Sequence, residues 1–393
     1  MFFAAVAAAV LAYGAALSRI PRIAATRSVI IAAALLTLAM RAPLALAPVG
    51  SGSDIMRYVW DARVQRAGLS PYDVLPNDPA LDRLHTPETR QMNNANIASP
   101  YPPGAQLFFR LATLPAESAM AVKLALAACD LATIAVIVLW LRRLDRSPLL
   151  AIAYAWNPLV VLEIAGSGHL DAAGMLAAAV AAFALTRGRI AVSVAALAAG
   201  VAIKFLPIVL VPLWWGRARL RHAALFAGLL AAVYLLFTDV SGQAAPVGSL
   251  TNMVRAFRFN GPVFKALAFL TTPWMAVAAG VAAGLACAAL MRHSRLRDDP
   301  AAFAWPMAAA LACSPVVYPW YLLWVTPFFI SRLTWPLVVW SLLILPTYIV
   351  WHRVQAGGAW AVPMWIGLVE YAVLAGSSGV LLVSAGKGRV RDG

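Results

Sequence analysis

Charge is what this 393-residue sequence has least of. Only 12% of the residues are Asp, Glu, Lys or Arg, and just 16 of them are acidic. A water-soluble domain is about a quarter charged and about half apolar, whereas 62% of this chain is apolar. Lipid must cover that surplus, so a soluble enzyme is excluded. Cysteine is scarce too: Cys129, Cys287 and Cys313 each lie inside an apolar run. Their odd number and setting exclude a disulfide or metal framework and leave them as packing residues. GxxxxGK[ST], CxxC, GxSxG, HxxxH and HExxH motifs are all missing, which removes the common nucleotide-binding, redox, hydrolase and zinc signatures. Short segments of alternating polarity, which a membrane β-barrel needs, are absent as well.

What remains is a succession of apolar runs, each ended by a polar or basic cluster. This pattern predicts an all-α fold, a polytopic bundle of transmembrane helices. The expected spans are 2–17, 29–47, 119–140, 149–164, 171–186, 190–203, 205–216, 223–238, 274–291, 301–313, 316–331, 334–351 and 361–384, thirteen in all within a range of 11–14. The first has no basic segment before it and reads as a retained helix. Alternate links carry Arg19, Arg22 and Arg27; Arg142, Arg143 and Arg146; Arg187 and Arg189; Arg217, Arg219 and Arg221; Arg292, Arg295 and Arg297; Arg332; and Lys387, Arg389 and Arg391. Together these make 18 of the 31 Lys and Arg. The positive-inside rule puts them in the cytoplasm, with the N-terminus outside and the C-terminus inside. The net charge of +15 is then accounted for by anionic lipid headgroups, with no nucleic acid required. One membrane domain, 1–393, is expected, and its two long links, 48–117 and 239–273, fall on the outer side. Long loops in a compact protein usually have a use.

The first outer loop opens with DIMRYVWDARVQRA, 54–67. On a helix, Asp54, Arg57, Tyr58, Asp61 and Gln65 share one face and Ile55, Met56, Val59 and Trp60 the other, which predicts an interfacial amphipathic helix. Arg63 and Arg66 would snorkel to headgroups. Asp54 follows the membrane exit directly, so it is either an anion at a helix start, with Asp61 pairing Arg57, or a carboxylate facing a cavity at the membrane surface. Further on, Tyr101-Pro102-Pro103-Gly104 is a rigid turn leading into an apolar helix.

Five segments in order carry a resemblance: SDIMRYVWDARVQRAGLSPY, YPPGAQLFF, GSGHLDAAGMLAAA, GVAIKFLPIVLVPLWW and SPVVYPWYLLWVTPF, which span Ser53 to Phe328. The chain resembles the C-type glycosyltransferase (GT-C) superfamily, in particular bacterial integral-membrane mannosyltransferases that use polyprenyl-phosphate sugars. In that family the aspartate loop usually follows the first span, whereas here it follows the second run. The resemblance implies a multi-pass protein of the bacterial inner membrane with its active site facing the periplasm. It also implies a polyprenyl-phosphate sugar donor, a lipid or glycan acceptor, and Asp54 as general base. It places Arg57, Tyr58, Asp61, Tyr101 and Tyr321 inside its motifs as candidates for substrate contact.

Other charged residues fit that chemistry or a blander one. Lys204 lies between two apolar stretches and should face a partner or a cavity. It is either a lysine snorkelling from a helix end or the cation that receives the donor phosphate, and the resemblance favours the second. His169 and Asp171 are either a loop histidine and a helix cap or residues at the mouth of the site. In the second outer loop Asn252, Arg255, Arg258, Asn260 and Lys265 are interleaved with aromatics, as lipid anchors or as contacts to donor or acceptor. Glu163 and Asp130 are further buried-charge candidates. No metal and no other cofactor is expected, because a monophosphate leaving group can be neutralised by side chains. The competing reading is a transporter or flippase of a lipid-linked sugar, although no two matching halves are found. A non-catalytic assembly subunit is a third.

Overall fold

The computed structural model of the chain describes residues 1–50, 52–241 and 254–391. Helices α1 (Phe2–Arg19) and α2 (Arg27–Leu46) precede the first outer loop, which holds α3 (Asp54–Arg66) and α4 (Pro103–Ala112). After α5 (Ala119–Arg143) come α6 (Ile152–Ala155) and α7 (Pro158–Val160), the latter running into a π-helical turn over Val161–Gly166. Helices α8 (Asp171–Thr186) and α9 (Ile190–Ile203) are antiparallel neighbours, followed by a 3-10 segment, Leu206–Trp214, and α10 (Leu220–Ser241). The second half contains α11 (Pro262–Leu270), α12 (Pro273–His293), α13 (Ala301–Ala312), a 3-10 segment over Pro319–Phe328, α14 (Trp335–Leu343), α15 (Ile349–Gln355) and α16 (Met364–Arg391). Among the described residues there is no strand, only an isolated parallel bridge between Phe259 and Val316.

The expectation of a helical membrane protein holds, and helix length alone accounts for fewer than thirteen spans. Among the described residues seven helices are long and apolar enough to cross a membrane, and an eighth span exists if Pro148–Ala155 and Pro158–Gly166, bent by 58°, count as one. The remaining expected spans are shorter. Those at 171–186, 190–203 and 301–313 are helices of 16, 14 and 12 residues, and those at 205–216 and 316–331 are 3-10 segments. Prolines explain the last two. Pro207, Pro212, Pro319 and Pro327 remove backbone donors from the α-helical ladder, so apolar sequence does not become a full-length helix.

Buried polar struts hold the first half together. Arg41 Nε donates to Asp130 Oδ2 at 2.5 Å, and its Nη1 donates to the Ala155 carbonyl at 2.7 Å. Tyr154 Oη donates to Asp130 Oδ1 at 2.6 Å, so Asp130 joins α2, α5 and α6 and has no spare role. Lys123 Nζ donates to the Leu44 and Ala47 carbonyls, 2.7 Å each, at the end of α2. A cation there satisfies groups that a helix end leaves unpaired. Gly104 lies so close to α9 that a methyl in its place would strike the backbone of Ala202. This contact fixes α4, and with it the first outer loop, against α9.

Helix α3 is not the interfacial helix its periodicity suggests. Both of its faces are buried, with Trp60 and Asp61 at 0% exposure. Its apolar side lies under the loop, where His85 stacks on Trp60 with centroids 4.0 Å apart. On the polar side, Gln65 donates to Gln106 Oε1 at 2.8 Å. Arg63 and Arg66 pair with Glu117, each at 3.0 Å, instead of reaching for headgroups.

Candidate functional site

The ends of α2, α9 and the π-helical turn, and the starts of α3 and α8, meet at one end of the bundle. Asp54 occupies the first turn of α3, where Ser53 Oγ accepts the Ile55 N–H and the helix N-terminus favours an anion. Asn93 Nδ2 donates to Asp54 Oδ1 at 3.0 Å, holding a side chain that remains 23% exposed. His169 Nδ1 lies 3.9 Å from Asp54 Oδ2, so the carboxylate keeps one oxygen without a direct partner.

His169 is buried and held on one face and one edge. Its ring stacks on Trp320, centroids 4.2 Å apart and planes 10° from parallel, and Trp320 stacks in turn on Tyr318 at 4.5 Å. Its Nε2 lies 3.0 Å from Glu163 Oε2, without the alignment of a regular hydrogen bond. Burial pulls the imidazole down, but the charge and proximity of Glu163, reinforced by Asp54 and Asp171, more than reverse this. His169 therefore titrates above the ordinary histidine value of 6.5.

Asp171 and Lys204 form the second half of the cluster. Helix α9 stops at Ile203 and Lys204 turns into extended backbone (φ −157°) ahead of Pro207, which carries its side chain back to the start of α8. Lys204 Nζ lies 2.7 Å from Asp171 Oδ1 and 4.1 Å from the centroid of the Tyr321 ring. Trp324 Nε1 donates to the same Asp171 oxygen at 2.6 Å. Gly174 gives the Trp324 indole its space, since a methyl at that position would collide with it. Asp171 is almost fully buried, whereas the Lys204 side chain is 28% exposed. The cation therefore reaches the surface of the site, and Asp171 anchors it. Tyr58 bridges the two halves: its hydroxyl accepts the Leu170 N–H at 3.4 Å. Burial first, then the charges of Asp54 and Asp171, hold its phenol well above its ordinary titration range, so it stays neutral.

Of the residues singled out in the sequence, Asp54, Tyr58, His169, Asp171, Lys204 and Tyr321 are thus brought together. Tyr101 stands one layer behind, edge-on to Tyr58 with centroids 5.2 Å apart. Arg57 and Asp61 turn away from the cluster and bond each other, Nε to Oδ1 at 2.7 Å. Asp61 Oδ2 also accepts from Ser99 Oγ at 2.5 Å and Gln106 Nε2 at 2.9 Å, and the residue is fully buried. Arg57 spends another donor on the Ile97 carbonyl at 3.1 Å. In the second outer loop Arg258 is consumed locally, donating to the Val254 and Phe257 carbonyls and lying over the Phe264 ring. Asn260, in a left-handed conformation (φ 50° region, 48°), donates to Glu370 Oε2 at 2.8 Å and fastens this loop to α16. Asn252 lies outside the described residues. Sequence reasoning did not find Asn93, Trp320 or Trp324 as parts of the site. The two tryptophans lie in the last family-like segment, and Asn93 has no signal at all.

An open cleft of about 380 Å³ lined by Arg189, Arg217, Arg219 and Arg221 lies among the links that join α8 to α9 and precede α10, at the opposite end of α8 and α9 from Asp171 and Lys204. Among the described residues no three His, Cys, Asp or Glu side chains group as a metal site.

Comparison with known proteins agrees with this architecture. A crystal structure of ArnT from Cupriavidus metallidurans bound to undecaprenyl phosphate is similar in fold, with a TM-score of 0.51 at 16% sequence identity over 94% of this chain and 73% of that one. No curated protein matches the sequence. The model of the MptA_B family, described as alpha-(1->6)-mannopyranosyltransferase, N-terminal domain, matches residues 1–217. That match covers more than half of the chain, which therefore belongs to the alpha-(1->6)-mannopyranosyltransferase family and is a membrane glycosyltransferase of the GT-C fold.

Proposed function

We propose that this protein transfers mannose from a polyprenyl-phosphate donor to a lipid or glycan acceptor at the periplasmic face of the bacterial inner membrane. The observation that carries the reading is the grouping, at one end of the bundle, of a partly exposed carboxylate, Asp54, 3.9 Å from His169, with Lys204 held on the neighbouring Asp171. Asp54 takes the proton from the acceptor hydroxyl as its oxygen bonds to the sugar's anomeric carbon. The bond from that carbon to the phosphate oxygen breaks, and its electron pair leaves with the polyprenyl phosphate. Lys204 and His169 offset the charge that develops on this leaving group. That ArnT was crystallised with undecaprenyl phosphate supports a donor of the same class here. Sidedness rests on the arginines: Arg187 and Arg189 join α8 to α9 at the end opposite Asp171 and Lys204, so the positive-inside rule turns the site outward.

A comparison of donors tests this reading. Purified protein supplied with membrane lipid extract is expected to form a mannosylated product from polyprenyl-phosphate mannose and none from a nucleotide-linked mannose, with mass spectrometry as the readout. The side chains alone neutralise a monophosphate in this scheme, so activity should survive EDTA. Product from the nucleotide sugar alone, or activity abolished by EDTA and restored by a divalent ion, would contradict it.

A further inference from the structure

Glu163 has an unusual position for a carboxylate. It lies in the π-helical turn Val161–Gly166 and is 1% exposed. Neither of its oxygens has an aligned hydrogen-bond partner, and among the described residues His169, at 3.0 Å, is the one cation that meets it. A buried carboxylate with a single partner is costly to keep. π-Helical turns are rare and concentrate at functional sites. The turn closes on itself where the His169 N–H donates to the Glu163 carbonyl at 3.0 Å, so the extra residue of the π turn sets the two side chains face to face.

Two contacts then fix the imidazole. Trp320 sets its plane, Glu163 takes its Nε2 edge, and the Nδ1 edge is left toward Asp54 Oδ2, 3.9 Å away. The aromatic face also favours a cationic ring. We propose that Glu163 is a positioning residue of the transfer reaction, holding His169 as an imidazolium by its Nε2 edge so that the Nδ1–H donor faces the Asp54 side of the site. The inference rests on the reading of Asp54, His169 and Lys204 as a transfer site. A neutral His169 could offer a proton on only one nitrogen, and Glu163 would claim it. The charged ring satisfies Glu163 and still presents a donor and a positive charge to the departing phosphate.

The charged and titratable groups around His169 are Glu163 on the π turn, Asp54 on α3 and Asp171 on α8, with Lys204 beyond Asp171 and the neutral Tyr58 phenol beside Leu170. The two aspartates are engaged elsewhere by Asn93, Lys204 and Trp324, so Glu163 is the partner whose removal should be felt most. The raised titration of His169 carries its charged form to higher pH than an ordinary imidazole's, and that form is lost as pH rises through the raised midpoint. Without Glu163, burial acts against fewer opposing charges and the loss comes at lower pH.

Protein labelled with ¹⁵N-histidine and held in lipid nanodiscs gives a direct readout, since there are only five histidines and His169→Gln identifies the signal. In Glu163→Gln the His169 midpoint is expected to fall by about one pH unit or more. The alkaline limb of kcat should move down with it, KM for the donor should change less, and activity should recover at lower pH. Glu163→Asp keeps the charge at a longer distance and should shift both less. A purely structural Glu163 predicts lost protein or lost activity at every pH, with no movement of the limb. An unchanged His169 midpoint in folded Glu163→Gln would overturn the proposal, as would a wild-type His169 that is neutral at pH 7, which is measurable even if the variant does not fold. The spectra need no substrate. Absence of transfer by the wild type with the shift intact would therefore sink the transferase reading and leave the Glu163–His169 pairing standing.

Discussion

Replacing Asp54 with asparagine is expected to lower turnover by roughly 10² to 10⁴ while leaving the protein folded and able to bind donor. Asparagine keeps the size of the side chain and its contact with Asn93, but it cannot accept the acceptor's proton. If Asp54 were only an anion at a helix start, the same change would cost about 0.5 to 2 kcal/mol of stability and spare catalysis. Asp61→Asn, two turns further along α3, is the control. Asp61 is buried and accepts from Arg57, Ser99 and Gln106, so its replacement should weaken folding by leaving the Arg57 guanidinium short of its counter-charge. Protein that survives folding should transfer sugar at a rate closer to normal. Steady-state rates beside thermal unfolding of the two variants separate these outcomes.

The second large effect is expected at Lys204. Lys204→Met removes the cation assigned to the leaving phosphate and should lower kcat/KM for the donor by roughly 10² to 10³, the scale of one lost charge-stabilising donor in a transition state. It also strips Asp171 of its ion pair, leaving Trp324 as the remaining donor to that carboxylate, so part of the loss could come from disturbed packing of α8. The double variant Lys204→Met/Asp171→Asn decides between the two. Removing both charges should restore much of the thermal stability without restoring activity. Recovery of activity in the double variant would make Lys204 a structural partner of Asp171 and no more.

The parts of this site that could be read from the sequence are those where a polar residue stands against its apolar surroundings. Lys204 in AGVAIKFLPIV and His169 and Asp171 in GSGHLD are conspicuous for that reason, and the structure brings them to one end of the bundle. Periodicity misled at α3. A helix with one polar and one apolar face looks interfacial, but its polar face is covered by Ser99 and Gln106 instead of water, a long-range contact that no local pattern encodes. The pairing of Glu163 with His169 was hidden because a π turn adds a residue to the helical repeat and changes which side chains meet. Two of the thirteen expected spans are broken by prolines. Hydropathy registers that 205–216 and 316–331 are apolar, but Pro207, Pro212, Pro319 and Pro327 make them short 3-10 segments. Trp324, on one of these segments, reaches Asp171, so the broken helices help to build the site.

The central claim is that a glycosyl–phosphate bond is broken at Asp54, and product stoichiometry tests it most directly. Purified protein in nanodiscs is given polyprenyl-phosphate mannose carrying ¹³C in the sugar, together with membrane lipid acceptor, and both labelled acceptor and free polyprenyl phosphate are counted by mass spectrometry. The wild type is predicted to release one polyprenyl phosphate for each mannose incorporated, and Asp54→Asn to form both more slowly by roughly 10² to 10⁴. A donor that remains intact while only its side of the membrane changes, or incorporation that proceeds equally well in Asp54→Asn, would contradict the account.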